Sequence, residues 1–390
     1  MDGTSPNVEQ EVLRRYAEAS RNVEAALCCP ITYDPKYLSV IPKEILDRDY
    51  GCGDPSRYVR EGETVLDLGS GGGKICYIAA QIVGPGGRVI GIDFNPAMLA
   101  LARKYQDKIA KRIGWRNVSF RRGRIQDLRT DLEEFEKKLA ASPVRSVAEF
   151  EDAEAARIEA GHARPMVADE SVDIIISNCV LNLVRPEDKP QLFREMHRVL
   201  RRGGRVAISD IVSDEEVPPE LRADPELWSG CISGAFQERE FLRAFEEAGF
   251  YGAAIDKRDA EPWQTVKGIE FRSVTVTAHK GKEGPCLERN QAVIYKGPWR
   301  AVHDDDGHVL ERGVPVAVCD KTFNIYTCEP YAQDILAVPP RITVPLEKAG
   351  QFDCDRPARR DPRETKGQDY KATTEAAGVC CPETAETKCC

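Results

Sequence analysis

The stretch Val65-Leu66-Asp67-Leu68-Gly69-Ser70-Gly71-Gly72-Gly73 decides the fold of this 390-residue chain. Its apolar start predicts a buried strand, its glycines and serine predict a tight turn, and residues 74–80 have the pattern of a helix that begins there. A strand that turns directly into a helix N-terminus lets the backbone approach a bound nucleotide closely. The dinucleotide fingerprint G-x-G-x-x-G would require glycine at Lys74, so the spacing disfavours a nicotinamide oxidoreductase.

The alternation of strand and helix continues to residue 213 and predicts a doubly wound α/β sheet. Residues 172–178 form the most apolar strand, a β-branched run that delivers Cys179 at its carboxyl end. The shorter strand at 87–93 ends in Asp93. An acid at that position can hold the ribose hydroxyls of a nucleotide, and it can equally cap a helix that begins at Asn95-Pro96. The sequence leaves both interpretations open.

Composition and charge exclude some partners. The net charge is −9, with 55 basic against 64 acidic residues, which argues against a general electrostatic grip on nucleic acid. Residues 1–5 show no signal sequence, and the apolar region 172–184 is too short and too interrupted by polar residues to span a bilayer. We therefore expect a cytoplasmic protein with no nucleic-acid partner and no membrane association.

The spacing Asp67-x-Gly69-x-Gly71-x-Gly73 resembles the S-adenosylmethionine loop of class I methyltransferases. Two strands follow the alternating region, at 250–255 and 270–279, and with them the chain resembles the class I topology with its antiparallel last strand. The resemblance implies a Rossmann-like doubly wound sheet that binds S-adenosylmethionine at the carboxyl edge of its strands.

Fourteen cysteines are many for a chain in a reducing compartment, where buried thiols, soft-metal ligands or redox groups are expected rather than structural disulfides. The sequence contains no C-x-x-C. Cys52 stands between two glycines, which predict an exposed thiol on a mobile loop. Cys231 stands in another glycine-flanked segment that can cover the same edge of the sheet, and Cys179 follows a buried strand. We expect these three thiols to converge on one small ligand above the methyl donor. A soft trivalent centre held by thiolates needs no catalytic base, and none of the five histidines lies in a glycine-rich or strand-end motif.

The three motifs Tyr50-Gly51-Cys52-Gly53, Ser177-Asn178-Cys179-Val180-Leu181-Asn182-Leu183 and Gly230-Cys231-Ile232-Ser233-Gly234 resemble those of arsenite methyltransferases. The resemblance covers roughly residues 25–335. It implies that Cys52, Cys179 and Cys231 bind As(III), free or as a thiol conjugate, for methylation. It also implies that Cys28 or Cys29 forms a disulfide with Cys52 that returns pentavalent product to the trivalent state. Glutathione or thioredoxin would then reduce that disulfide.

The same resemblance implies a set of donor contacts and a division of the chain. The donor contacts are Asp67, Gly69, Gly71, Asp93, Met98, Ile125, Gln126 and Asn178, with Gln126 standing where an acid is common in the family. The expected regions are an N-terminal helix with a cysteine-bearing lid segment at 1–63, the S-adenosylmethionine-binding domain at 64–213, an arsenic-binding region with the final strands at 214–284, a small β-rich module at 285–344 and a disordered cysteine-containing tail at 345–390.

Two other functions are compatible with parts of the pattern. A methyltransferase for another small molecule, such as a sterol, a quinone or a phospholipid head group, would use the glycine loop but would not need the three thiols. A thiol-rich protein that sequesters soft metals without catalysis would use the thiols, but it has no use for the loop or for Asp93.

Overall fold

A computed structural model describes residues 8–24 and 31–375 of the chain. The chain divides into two compact units, Met1–Lys282 and Glu283–Cys390. Cys28 and Cys29, and the tail pairs Cys380-Cys381 and Cys389-Cys390, lie outside the described residues. In the part of the chain that is described, no helix is long and apolar enough to cross a membrane.

The first unit is built on one large sheet. Its strands are β1 Thr64–Leu68, β2 Arg88–Asp93, β3 Val118–Arg122, β4 Val172–Asn178, β5 Leu200–Ser213, β6 Phe236–Gln237, β7 Tyr251–Arg258, β8 Gln264–Val266 and β9 Ile269–His279. Its helices are α1 Val8–Ala19, α2 Pro35–Leu38, α3 Lys43–Leu46, α4 Lys74–Val83, α5 Pro96–Lys104, α6 Gln106–Ile113, α7 Leu132–Ala141, α8 Val147–Ala163, α9 Lys189–Val199, α10 Pro219–Arg222, α11 Pro225–Ser229 and α12 Glu238–Glu247.

The order of the main strands is β3-β2-β1-β4-β5-β9-β7. Strands β1 to β5 pair in parallel, whereas β9 runs antiparallel to both β5 and β7. This confirms the predicted doubly wound sheet with a reversed last strand. Because β1, β2 and β4 are parallel neighbours, the segments that follow them, with the glycine loop, Asp93 and Cys179, meet at one edge.

Both faces of the sheet are covered. Leu66 and Ile175 belong to one apolar core, and their chain neighbours Val65, Ile174 and Ile176 belong to the other. Successive residues of a strand point to opposite faces, so a strand buried on both sides must be apolar throughout. This is the physical reason for the continuous apolar run in β4.

The region between β3 and β4 forms two helices, α7 and α8. Asp131 caps α7 by accepting from the amides of Glu133 and Glu134, and Ser146 caps α8 by accepting from the amide of Glu149. Their residues are almost all exposed or partly exposed; Gly161 is the buried one within them. They lengthen the connection without adding to the core.

The second unit is mostly β structure. It contains β10 Leu287–Glu288, β11 Ala292–Tyr295, β12 Ala301–His303, β13 Val309–Glu311, β14 Pro315–Ala317, α13 Asp320–Tyr326, β15 Ile335–Val338, β16 Gly350–Gln351 and α14 Pro362–Lys366. β11 lies between β14 and β15 in a three-stranded sheet, while β10 pairs with β16 and β12 with β13. The expected β-rich character of this region is confirmed.

The expected disorder from residue 345 onward is wrong for residues 345–375. β16 pairs with β10, and Phe352 packs against Cys286, Ala317 and Cys319. Arg360, only 1% exposed, pairs with Glu288 at 3.0 Å and also with Glu364. A buried guanidinium is tolerated where carboxylates compensate its charge. These long-range pairs order a segment whose own composition is poor in apolar residues.

Candidate active site

The glycine loop after β1 turns sharply because three of its glycines have left-handed backbone. The φ angles are +72° at Gly69, +49° at Gly71 and +85° at Gly73, which is the N-cap of α4. A side chain at Gly69 would also collide with Val180, whose nearest carbon lies 2.4 Å from the ideal Cβ position. Glycine is therefore required at this position both by conformation and by the close approach of the segment after β4.

Asp93 ties the end of β2 to the glycine loop. One carboxylate oxygen accepts from the Gly71 amide at 2.8 Å, and the other accepts from the Asn95 amide at 2.8 Å. The cap of α5 is Asn95 itself, whose side chain accepts from the amides of Ala97 and Met98. The helix-cap interpretation of Asp93 is thus wrong, and its carboxylate orders the loop instead.

A cavity opens where the loop, the end of β2 and the segments after β3 and β4 meet. Every residue that the sequence proposed as a donor contact lines it, and so does Cys179: Asp67, Gly69, Gly71, Asp93, Met98, Ile125, Gln126, Asn178 and Cys179. Helix α1 closes another side of the cavity with Glu9, Val12 and Tyr16. The carboxyl edge of the sheet therefore brings together residues that lie more than a hundred positions apart in the sequence.

The lining of this cavity fits S-adenosylmethionine. The Ser70 hydroxyl is buried at the cavity wall and, among the described residues, has no hydrogen-bond partner. A Cβ at Gly71 would meet nothing within 4 Å, so the loop backbone faces open space. The carboxyl groups of Asp67 and Asp93 and the apolar side chain of Met98 line the same cavity, which therefore offers both polar and apolar surface to a ligand.

Asp67 is the most deeply buried acid of the cavity, at 2% exposure. The Cys76 thiol donates to its carboxylate at 3.1 Å from the first turn of α4. Burial raises the pKa of Asp67 to about 7, with the negative charges of Asp49 and Asp93 adding to the shift and the Cys76 hydrogen bond opposing it. The carboxyl of Asp67 therefore titrates near neutral pH in the protein without its donor.

An Asp67→Asn variant should remove a pH dependence of stability. The folded protein holds the Asp67 proton more tightly than the unfolded chain, so this stabilisation is complete below pH 3.8 and is lost as pH rises through about 7. Relative to the variant, the wild type should lose roughly 2 kcal/mol of unfolding free energy between pH 5.5 and 8. Urea unfolding of the donor-free proteins at both pH values measures this difference, and parallel pH dependences would contradict it.

Cys52, Cys179 and Cys231 lie together in one buried apolar cluster with Ile211, Phe271 and their neighbours. The Cys179 thiol is within hydrogen-bonding reach of both other thiols. These two hydrogen bonds, followed by burial, raise the pKa of Cys179 well above its usual value, and burial raises that of Cys52. Cys179 thus stands at the centre of the three thiols.

The backbone at two of these cysteines is strained. Cys179 has φ +62° and Cys231 has φ +64°, a region that costs a non-glycine residue roughly 1–2 kcal/mol. The Cys179 amide is held by the Ser209 carbonyl at 2.8 Å, and the Cys231 amide by the Trp228 carbonyl at 3.0 Å. This strain directs both side chains into the cluster, and the surrounding hydrogen bonds maintain it.

The Asn178 side chain fixes the loop that carries Cys52. Its oxygen accepts from the amides of Cys52 at 2.9 Å and Gly53 at 3.0 Å, and its nitrogen donates to the Gly53 carbonyl at 2.8 Å. A Cβ at Gly51 would lie 2.2 Å from this amide, and one at Gly53 would lie 2.4 Å from the Ser209 hydroxyl. The expectation of an exposed thiol on a mobile loop is wrong for Cys52. Its glycines serve close packing, and Cys52 is 3% exposed.

Cys231 is likewise buried, at 4% exposure. The Asn182 side chain donates to the Ile211 and Cys231 carbonyls at 2.6 and 3.3 Å. The buried Lys189 ammonium donates to the Gly234 carbonyl at 2.5 Å. Residues that follow β4 therefore hold the loop around Cys231 in place.

Several of the polar residues that support this site were not singled out from the sequence. Buried Asp210, toward the carboxyl end of β5, accepts from the amides of Leu181 and Ile211, each at 2.8 Å. Lys74 pairs with Asp49 at 2.8 Å beside the donor cavity. A buried acid needs hydrogen-bond donors. The presence of Asp210 in the apolar strand β5 therefore indicated that polar groups meet it at that edge of the sheet.

Over the described ranges 8–24 and 31–375, no group of three or more His, Cys, Asp or Glu side chains is arranged to hold a metal ion. The Cys231 thiol instead donates to the Cys179 carbonyl at 3.4 Å. Cys28 and Cys29, the expected redox partners of Cys52, lie outside these ranges.

The fold and the donor cavity define a class I S-adenosylmethionine-dependent methyltransferase. A family model described as a methyltransferase domain matches residues 60–143 and 141–249. A second model, described only as a domain of unknown function (DUF8838), matches residues 282–370. The second match extends through most of the segment that composition alone predicted to be disordered.

Proteins that are similar over most of the chain identify the family within this class of methyltransferases. An arsenite methyltransferase of Aquipseudomonas alcaligenes is 32% identical over 81% of this chain and 86% of that protein, and the human arsenite methyltransferase is 29% identical over 95% and 94%. The solved structure of an arsenic(III) S-adenosylmethionine methyltransferase from Chlamydomonas reinhardtii is similar with a TM-score of 0.51 and 27% identity, over 83% of this chain and all of the other. The chain belongs to the arsenite methyltransferase family.

Proposed function

We propose that this protein transfers methyl groups from S-adenosylmethionine to As(III) bound by Cys52, Cys179 and Cys231. One observation carries the proposal. Cys179 lines the donor cavity and also stands at the centre of the buried thiol cluster. A soft trivalent atom bound at this cluster would lie next to the donor, and the family membership gives that atom its identity.

The thiols can take up As(III) without a catalytic base. Arsenous acid reacting with three thiols forms three As–S bonds and breaks three As–O bonds, and each thiol proton leaves in a water molecule. Raised thiol pKa values suit this exchange, since the protons are needed by the departing hydroxyls. The apolar surroundings of the cluster then keep water from the arsenic.

When bound, S-adenosylmethionine supplies an electrophilic methyl group, which the lone pair of the bound arsenic attacks. Asp67, Asp93, Gly69 and Gly71 would hold the charged and ribose parts of the donor, and Met98, Ile125 and Gln126 the adenine. The polar atoms of Asn178 are already used on the Cys52 loop, so we assign it the role of positioning that loop beside the donor.

Methylation oxidises arsenic from the trivalent to the pentavalent state, and a further turn needs two electrons. We propose that Cys52 and one of Cys28 or Cys29 supply them by forming a disulfide, with glutathione or thioredoxin as the final reductant. Because the proposed site needs its thiols reduced to bind As(III), we propose that the protein works in a reducing compartment such as the cytoplasm.

The activity is tested by incubating purified protein with As(III), S-adenosylmethionine and glutathione, and separating arsenic species by chromatography with element-specific detection. We expect methylated arsenicals from the wild type and from Cys328→Ser, a variant of an exposed cysteine in the second unit. If the protein binds As(III) but does not consume S-adenosylmethionine, it sequesters arsenic and does not methylate it. Undiminished turnover of another acceptor by variants in which Cys52 or Cys231 is serine would indicate a different small-molecule methyltransferase.

A further inference from the structure

The turn that follows β3 carries two of the residues assigned to the adenine of the donor, Ile125 and Gln126. It is closed by a backbone hydrogen bond in which the Asp127 amide donates to the Arg124 carbonyl at 3.0 Å. Ile125 and Gln126 lie at its tip, and both line the donor cavity. In the proposed donor site, the position of this turn therefore decides where the adenine can lie.

A second cavity adjoins the same turn. It has a volume of about 330 Å³, and Gln126 lines it together with Thr130, Glu154 and Arg157. Because open space lies on this side of Gln126 as well as in the donor cavity, side-chain packing alone does not fix the turn. Polar contacts have to hold it in place.

The Asp127 carboxylate makes such contacts on both of its oxygens. One oxygen accepts from the amides of Arg129 at 3.1 Å and Thr130 at 3.2 Å, within the same loop. The other oxygen accepts from the Arg157 guanidinium of α8 at 3.0 Å. The same guanidinium nitrogen donates to the Thr130 hydroxyl at 2.8 Å. Arg157 therefore connects both ends of segment 127–130 to helix α8.

Two features of α8 bring Arg157 to this loop. The other guanidinium nitrogens of Arg157 donate to Glu154, one turn earlier in the helix, at 3.0 and 3.2 Å. Gly161, one turn later, lies so close to the loop that an ideal Cβ there would be 3.2 Å from the Cβ of Arg129. Glycine inside a helix is destabilising relative to alanine, so the close approach of helix and loop is what Gly161 permits.

We propose that Arg157 is a positioning residue for the donor, which holds the turn of Ile125 and Gln126 against the adenine through the Asp127 carboxylate. The inference rests on the proposed function, which places the adenine at this turn. It gives α8 a part in donor binding, although Gly161 is the one buried residue of that helix.

The test compares Arg157→Met with Arg103→Met. Arg103 pairs with Glu133 of α7 at 2.6 Å and donates to the Phe120 carbonyl at 2.8 Å, but it lines neither of the two cavities. The KM for S-adenosylmethionine should rise about fivefold in Arg157→Met, with kcat and the affinity for As(III) unchanged, and Arg103→Met should match the wild type. The Arg157 and Asp127 side chains are 25% and 34% exposed, and an ion pair as exposed as this adds little to stability. The urea midpoint of Arg157→Met should therefore stay close to that of the wild type.

A second arm tests whether Arg157 acts through Asp127. In an Asp127→Ala background, Arg157→Met should raise the KM for S-adenosylmethionine by less than about twofold. An unchanged KM in Arg157→Met, or the full fivefold effect in the Asp127→Ala background, would overturn the inference and leave the proposed function intact. A wild type that forms no methylated arsenic would overturn the proposed function instead. Equilibrium binding of S-adenosylmethionine to the same variants would then decide the inference.

Discussion

A Cys179→Ser variant should lose As(III) methylation on the order of a thousandfold, equivalent to about 4 kcal/mol of activation free energy. Cys179 is the central member of the three thiols, in hydrogen-bonding reach of both Cys52 and Cys231, and it alone of the three also lines the donor cavity. A serine hydroxyl is a hard ligand and a poor substitute for a thiolate toward arsenic. The loss should therefore include both As(III) binding and methyl transfer.

Initial rates of methylarsenical formation measure this loss, and equilibrium binding of S-adenosylmethionine provides the control. The donor affinity of Cys179→Ser should stay within a few-fold of the wild type, because the other residues of the cavity are unchanged. Cys328→Ser, at an exposed position in the second unit, should keep full activity. A Cys179→Ser variant that still methylates As(III) at the wild-type rate would contradict the assignment of the thiols.

An Asn178→Ala variant should lose activity on the order of a hundredfold without removing any thiol. The change leaves the buried amides of Cys52 and Gly53 without a partner, while the Gly53 carbonyl keeps its hydrogen bond from the Tyr33 hydroxyl at 3.2 Å. Each such group costs roughly 1–3 kcal/mol if it stays unpaired, so the loop should shift to find water. A displacement of about 1 Å at a reacting group can reduce a rate on the order of a hundredfold.

The matched control is Asn117→Ala. Asn117 also donates to two backbone carbonyls, those of Ala80 at 3.2 Å and Gly84 at 2.8 Å, but at the opposite end of α4 from the glycine loop. Both variants should lower the urea midpoint, and only Asn178→Ala should reduce the As(III) specificity constant. Equal loss of stability in the two variants with full activity in both would show that Asn178 has no part in positioning Cys52.

The sheet was predictable because its strands follow from local patterns. The β-branched run of β4 and the glycine spacing after β1 each determine their own conformation, and the parallel order then brings the carboxyl ends to one edge. The convergence of Cys179 with the donor loop followed from this rule alone. The confirmed fold and the family resemblance therefore rest on patterns that can be read over fewer than ten residues.

The details of the site were less predictable because they depend on contacts between distant residues. Nothing in the sequence indicates that Asn178 would bond the backbone more than a hundred positions earlier, or that Cys179 and Cys231 would adopt left-handed backbone. The glycines beside Cys52 predicted mobility, whereas they allow the Asn178 amide and the Ser209 hydroxyl to pack closely. The ordered structure of residues 345–375 was missed for the same reason. It depends on contacts such as that of Arg360 with Glu288, which lies 72 positions earlier in the chain.

The central claim is that the arsenic held by the three thiols receives the methyl group of the donor in the same protein. A single-turnover experiment tests it most directly, with one equivalent of As(III) bound per chain, methyl-labelled S-adenosylmethionine in excess and no added reductant. We expect between one and two labelled methyl groups on arsenic per chain in the wild type, because the proposed cysteine pair can supply the electrons for one further turn, and none in Cys179→Ser. Labelled S-adenosylmethionine that stays intact while As(III) remains bound to the wild type would contradict the account.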